Sequence, residues 1–237
     1  MNNTKKKSPI SWVPTAYFAM GLPFVVLNMV TVLMFKGLEV DDKLITFWTS
    51  LILLPWTLKP LWSPFLELFR TKKFFVIVTQ LITGITFGLV AFALNLSHFF
   101  SISIALLAIV AFSGATHDIA CDGVYMSELS NEDQARFIGW QGAFYNIAKI
   151  LATGGLVYLA GYFIELNADA GLLTANKRAW MIILLILSVT MILLGIYHLF
   201  ALPSTQSASS RKTLRSNKEV MKELGQVLMD FFRKTHI

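Results

Sequence analysis

The chain has 237 residues, 55% of them hydrophobic and 14% charged, with a formal net charge of +6 and a mean hydropathy of +0.62. A soluble domain carries about 25% charged and roughly 45–50% apolar residues, so an ordinary globular protein is excluded and a membrane protein is expected. The single cysteine, Cys121, rules out an internal disulfide framework. The basic residues do not gather on one soluble face, so no nucleic-acid partner is expected.

Apolar stretches fall at about 11–35, 44–66, 74–97, 99–126, 137–164 and 179–202. Each covers the roughly 20 residues needed to cross the hydrocarbon core, so residues 11–203 read as an all-α bundle of six transmembrane helices. Residues 1–10 form a short tail with Lys5, Lys6 and Lys7. The first span exceeds the h-region of about 7–15 residues of a signal peptide, and no small-residue cleavage site follows, so it reads as an uncleaved anchor. On span two, Pro55, Pro60 and Pro64 predict a kinked or interrupted helix. Gly84 and Gly88 on span three, and Gly154, Gly155 and Gly161 on span five, mark places where helices approach closely.

Beyond Pro203 the composition shifts to "STQSASSRKTLRSNK", and residues 204–216 read as a polar linker. Within 217–237, Val220, Met221, Leu224, Val227, Leu228, Phe231 and Phe232 share one face of an amphipathic helix. It is expected to lie in the cytoplasm and to lead toward a second membrane half; the alternative is a helix resting on the inner leaflet. Basic residues concentrate in the N-terminal tail, in the 2–3 loop (Arg70, Lys72, Lys73) and after span six. The positive-inside rule therefore puts both termini in the cytoplasm.

A charge at the centre of a membrane helix costs roughly 2.5–3.5 kcal/mol on insertion scales, so it needs a cavity or a partner. Lys149 lies deep in span five, about 20 Å of helix from either end. Lys59 sits late on span two, where its side chain reaches either a partner or the headgroups. Asp118 and Asp122 are four residues apart on span four and share a helix face. They read as proton carriers if that face meets a cavity, or as solvated acids if the membrane segment ends near Thr116.

Two other chemistries are open at the same stretch. His117 and Asp122 have the H-x-x-x-x-D spacing of a glycerolipid acyltransferase, though no further acyltransferase block is visible. His117 and Cys121, with the two Asp residues, present metal-ligand types, though no second ligand cluster appears. No cofactor motif is read, and the chain is not expected to be an enzyme.

"AYFAMGLPF" on span one, "LPWTLKPLWSPFLELF" on span two and "ATHDIACDGVYMSEL" on span four resemble the AmpG-type muropeptide permeases. These belong to the major facilitator superfamily, in the peptide and acetyl-coenzyme A transporter group. The likeness covers the six spans of the N-terminal half of that fold. It implies a proton-driven importer of anhydro-muropeptide-like solutes in a bacterial inner membrane. The pore would be completed by a C-terminal six-helix half or a second subunit.

The resemblance also makes "SPFLELFRTKKF" a cytoplasmic gate, with Glu67 at the family's acid position and Arg70, Lys72 and Lys73 following. Two positions depart from the family pattern. Asn146 stands where the family has Arg after the tyrosine of span five, with Lys149 three residues on, and Gln134 stands where Arg usually follows the acidic pair Glu132–Asp133. Lys149, Asp118, Asp122, Lys59 and Asn146 are the expected substrate and coupling residues. The alternatives are a membrane sensor or adaptor that transports nothing, and an acetyl-coenzyme A-type carrier of the same superfamily.

Overall fold

A computed structural model describes residues 7–63, 66 and 71–203. Glu67, Arg70, Pro64, the linker 204–216 and the amphipathic segment 217–237 lie outside the described residues. Among those described, the chain is helical and without strands. Six helices are long and apolar enough to cross a membrane: α1 (Pro9–Gly37), α2 (Asp42–Leu61), α3 (Lys72–Ala93), α4 (Phe99–Glu128), α5 (Asn131–Leu166) and α6 (Leu172–Ala201). Six such helices are compatible with a multi-pass membrane protein.

The helix starts are written locally. The Asp41 carboxylate caps α2 by accepting from the backbone N–H of Lys43 and Leu44 at 2.9 and 3.3 Å. Thr71 caps α3 through the Phe74 N–H, and Ser130 caps α5 through the Asp133 N–H. Each satisfies donors that the first helical turn leaves without an internal partner. Gly171, at φ +84°, makes the turn into α6 in a conformation that suits glycine. Both α5 and α6 begin several residues before the apolar runs that announce them; the first turn of α5 is polar and capped by Ser130, and α6 starts from the Gly171 turn.

Three helices are irregular. In α2 the α-helix stops at Ile52, restarts over Leu54–Leu58 and tightens to a 3-10 turn at Lys59–Leu61. Pro55 and Pro60 each remove a backbone donor at these breaks, as the sequence predicts. In α1, Pro23 is followed by a π-helical turn at Val26–Val30, and α5 contains a second one at Leu151–Leu156. The two π turns touch each other.

The bundle is lopsided. α3 packs along both α4 and α6, and α1 packs along α5 and against α4. A Cβ added to Gly84 would lie 2.9 Å from the Ser188 carbonyl oxygen, and one on Gly21 would lie 2.9 Å from the Tyr145 carbonyl oxygen. These glycines let backbones meet directly. The apolar windows of α2 and α5 are only 17% buried, against 67% for α1 and 61% for α3.

The exposed faces differ in chemistry. α3 and α6 present large apolar side chains outward, among them Ile85, Leu89, Phe92, Val189 and Leu193, as lipid requires. On α5, Gly139, Gly142, Asn146 and Lys149 are exposed and Thr153 is half-buried. Their spacing puts them on one side of the helix, away from buried Phe137, Ala148 and Ala152.

A polar belt as the candidate functional site

The long α4 carries chemistry on two faces. Asp118 turns toward α2 and α1, whereas His117, one residue earlier and about 100° around the helix, turns toward α3 and α6. The helix runs unbroken to Glu128, so Asp118 is not at a wet helix end. It is 8% exposed.

On the first face, Asp118 Oδ2 accepts from Lys59 Nζ at 2.6 Å and from Trp56 Nε1 at 2.9 Å. Both donors come from the broken end of α2. Residues 56 and 59 are three apart and share one face of α2, which lets both reach the same carboxylate. Gly114, one turn before Asp118, makes room for the indole, since a Cβ there would lie 2.9 Å from the Trp56 ring. Phe24 packs edge-on against the same ring. Asp118 Oδ1 is buried and has no hydrogen-bond partner among the described residues.

Asp122 takes different partners. It is exposed, and its Oδ1 accepts from the Tyr17 hydroxyl at 2.8 Å, while Gln141 Nε2 donates to that hydroxyl oxygen at 2.8 Å. The two carboxylates four apart therefore hold α2 on one hand and α1 with α5 on the other. Mutual repulsion is relieved by separate donors.

Lys149 is the remaining charge of the belt. It sits near the middle of the 36-residue α5, roughly 26 Å of helix from either end. Its ammonium is exposed and makes no hydrogen bond or ion pair with the described residues. Asn146, three residues before it, is also exposed, and its amide donates back to Gly142 O in its own helix. Lys149 and Asn146 share the small, polar stripe of α5, on the far side of that helix from Ala148, which packs at Gly21 of α1.

The lysines of the expected gate serve the bundle's own helix ends. Lys72 Nζ donates to Gly123 O of α4 at 3.3 Å, and Lys73 Nζ to Leu202 O after α6 at 2.9 Å. Glu67 and Arg70 lie outside the described residues.

The other face of α4 carries neither of the two alternative chemistries. The His117 ring is engaged with Gln80 of α3, while Asp122 bonds Tyr17 of α1, so the H-x-x-x-x-D pair is not brought together. Among the described residues no three His, Cys, Asp or Glu side chains converge as metal ligands do.

The structure thus brings Lys59 to Asp118 and leaves Lys149 and Asn146 on the open face. It adds Tyr17, Trp56, Gln141 and Gly114, which residue type alone did not single out. The one signal for them is polarity or bulk inside an apolar run, as in "PWTLKP" and "WQGAFY". Chemically, the belt offers, among the described residues, a cation without a counter-ion, a carboxylate with one oxygen unpaired, and hydroxyl and amide donors on adjacent helices. No family model, curated protein or solved structure matches this chain.

Proposed function

We propose that this bundle forms one wall of a secondary transporter for small solutes that carry carboxylates. The observation that carries the reading is Lys149: a cation with no partner among the described residues, near the middle of α5, in line with exposed Gly139, Gly142 and Asn146. A lipid-facing site would charge that position several kcal/mol, so the face is matched to water, a solute or a charged protein surface. Asp118 and Lys59 form a separate ion pair whose making and breaking can be coupled to proton movement. Further membrane segments, on the same chain or on a second subunit, supply the opposite wall. The resemblance to AmpG-type permeases supports anhydro-muropeptides as the cargo, the proton gradient as the driving force and the bacterial inner membrane as the site.

Uptake of a radiolabelled anhydro-muropeptide into cells expressing the chain tests this, with the gradient intact and then collapsed, and with Lys149→Leu alongside. The expected result is gradient-dependent uptake that Lys149→Leu lowers by at least tenfold. Equal uptake by both forms, or none while the protein is in the membrane and a known permease works in parallel, contradicts it. The open stripe on α5 also favours a second reading, a membrane adaptor whose Lys149 pairs with a carboxylate of another protein.

A further inference from the structure

A second polar assembly lies in the core, apart from the belt. Four side chains from four helices form one hydrogen-bonded chain. Thr15 Oγ1 meets His198 Nε2 at 2.9 Å, His198 Nδ1 meets Gln80 Oε1 at 2.9 Å, and Gln80 Nε2 meets His117 Nε2 at 3.0 Å. Gln80 and His198 are 0% exposed and His117 is 2% exposed. The chain begins at the α1–α6 end of the bundle and stops beside Asp118, where His117 Nδ1 has no hydrogen-bond partner among the described residues.

The donors and acceptors fix a direction. Gln80 offers one carbonyl oxygen and one amide nitrogen. With the oxygen toward His198, that ring donates from Nδ1 and accepts the Thr15 hydroxyl at Nε2. With the amide toward His117, that ring accepts at Nε2 and carries its proton on Nδ1. Every donor then points toward His117.

Turning the Gln80 amide by half a turn produces a second arrangement with as many hydrogen bonds. His117 now donates from Nε2 to Gln80, Gln80 donates to His198 Nδ1, and His198 donates from Nε2 to Thr15. The displaced Thr15 hydroxyl needs a new acceptor, and one is in place: Thr15 Oγ1 lies 3.2 Å from the Trp12 carbonyl oxygen and donates to it. Each imidazole gives a proton to water from one nitrogen and takes one from water at the other when the bundle opens locally, so the proton count of the chain is unchanged.

We propose that Gln80 is a two-position switch that ties the state of His117, beside Asp118, to that of His198 and Thr15 at the α1–α6 end. An acceptor arriving at His117 Nδ1 favours the first direction, and a donor favours the second. A proton cannot simply run along the chain, because an amide passes one only through an unfavourable imidic-acid form. What travels is orientation. The charged and titratable groups near the two rings are Lys59 of α2 and His198 of α6 at His117, with Asp118 next in sequence but turned to the other face and Cys121 one turn on along the same helix, and Lys73 of α3 at His198, with Tyr197 on its own helix. The proposal does not depend on what the belt carries.

Nitrogen NMR of the full chain in lipid bilayers tests it directly. The protein is labelled with 15N-histidine and carries His98→Gln and His236→Gln, which leaves two rings. The two nitrogens that face Gln80 are His198 Nδ1 and His117 Nε2. The expected spectrum shows one of them protonated and the other bare. Both protonated or both bare overturns the switch, since one amide cannot serve either pattern. In Gln80→Glu a carboxylate accepts from both sides, so both nitrogens become protonated. A one-and-one pattern that survives this substitution also overturns the proposal. Should that variant fail to insert, the spectrum of the chain with Gln80 in place remains decisive.

Discussion

Asp118 is held by two donors from one short stretch of α2, and the quality of that grip depends on Lys59. The pair is largely out of water: the lysine side chain is 27% and the aspartate side chain 11% exposed. Removing one member of a buried pair leaves an uncompensated charge, at a cost of about 3–5 kcal/mol, whereas replacing both by neutral groups is often close to neutral. Lys59→Met should therefore destabilise the detergent-solubilised protein by about 3 kcal/mol, reduced somewhat by the partial exposure of the lysine and by the Trp56 donor that remains. Adding Asp118→Asn to Lys59→Met should restore most of that loss, read as a coupling in a double-mutant cycle of chemical unfolding. Additive losses would mean that the pair is not a unit. Asp122 takes its hydrogen bonds from a separate group with Tyr17 and Gln141 but feels the Lys59 charge, so Asp122→Asn should couple to Lys59→Met more weakly than Asp118→Asn does.

The helices divide by what their glycines do. Gly84 meets the Ser188 carbonyl and Ile192 of α6 at distances that no Cβ fits, whereas Gly161 of α5 has nothing within 4 Å. Gly84→Ala should push α3 and α6 apart and cost about 1–3 kcal/mol, the usual range for overpacking. Gly161→Ala should be neutral or stabilising by about 0.4–1 kcal/mol, because only the unfolded chain feels it. Equal effects at both sites, measured by thermal unfolding in detergent, would contradict this division. The sequence shows both glycines as candidates for close packing, and only the fold tells them apart. The break in α2 was legible because proline acts locally. The π turns at Val26–Val30 and Leu151–Leu156 were not, since an extra residue in a turn is settled by how α1 and α5 meet and leaves no periodic trace.

At the scale of the molecule, six apolar runs and their order could be read directly, because a bilayer imposes length and composition on each span separately. The central place of Lys149 along span five was legible for the same reason, whereas the sequence left open whether Asp118 sits inside its span or at a wet end. The partners of Asp118 were not legible. Trp56 and Lys59 precede Asp118 by 62 and 59 positions, and nothing in either segment names the other. Likewise Gln80 and His198, 118 positions apart, read as isolated polar residues until the helices come together. The resulting picture is a bundle whose outward faces are largely apolar on every helix, with a narrow stripe of Gly139, Gly142, Asn146 and Lys149 exposed on α5 and Tyr17, Lys59, Asp118, Asp122 and Gln141 joined between α1, α2, α4 and α5.

If α5 lines a transport path, its stripe of Gly142, Asn146, Lys149 and Thr153 meets water or solute and not lipid. Single cysteines at positions 142, 146, 149 and 153 of α5, and at lipid-side positions 89, 92, 189 and 193, placed in a Cys121→Ala chain in native membranes, test it with a small charged thiol reagent. The α5 cysteines should react at least tenfold faster than the other four, with protection by a soluble carboxylate strongest at 149. Uniformly slow reaction at positions 146 and 149, matching position 92, would place that face in lipid and contradict the account.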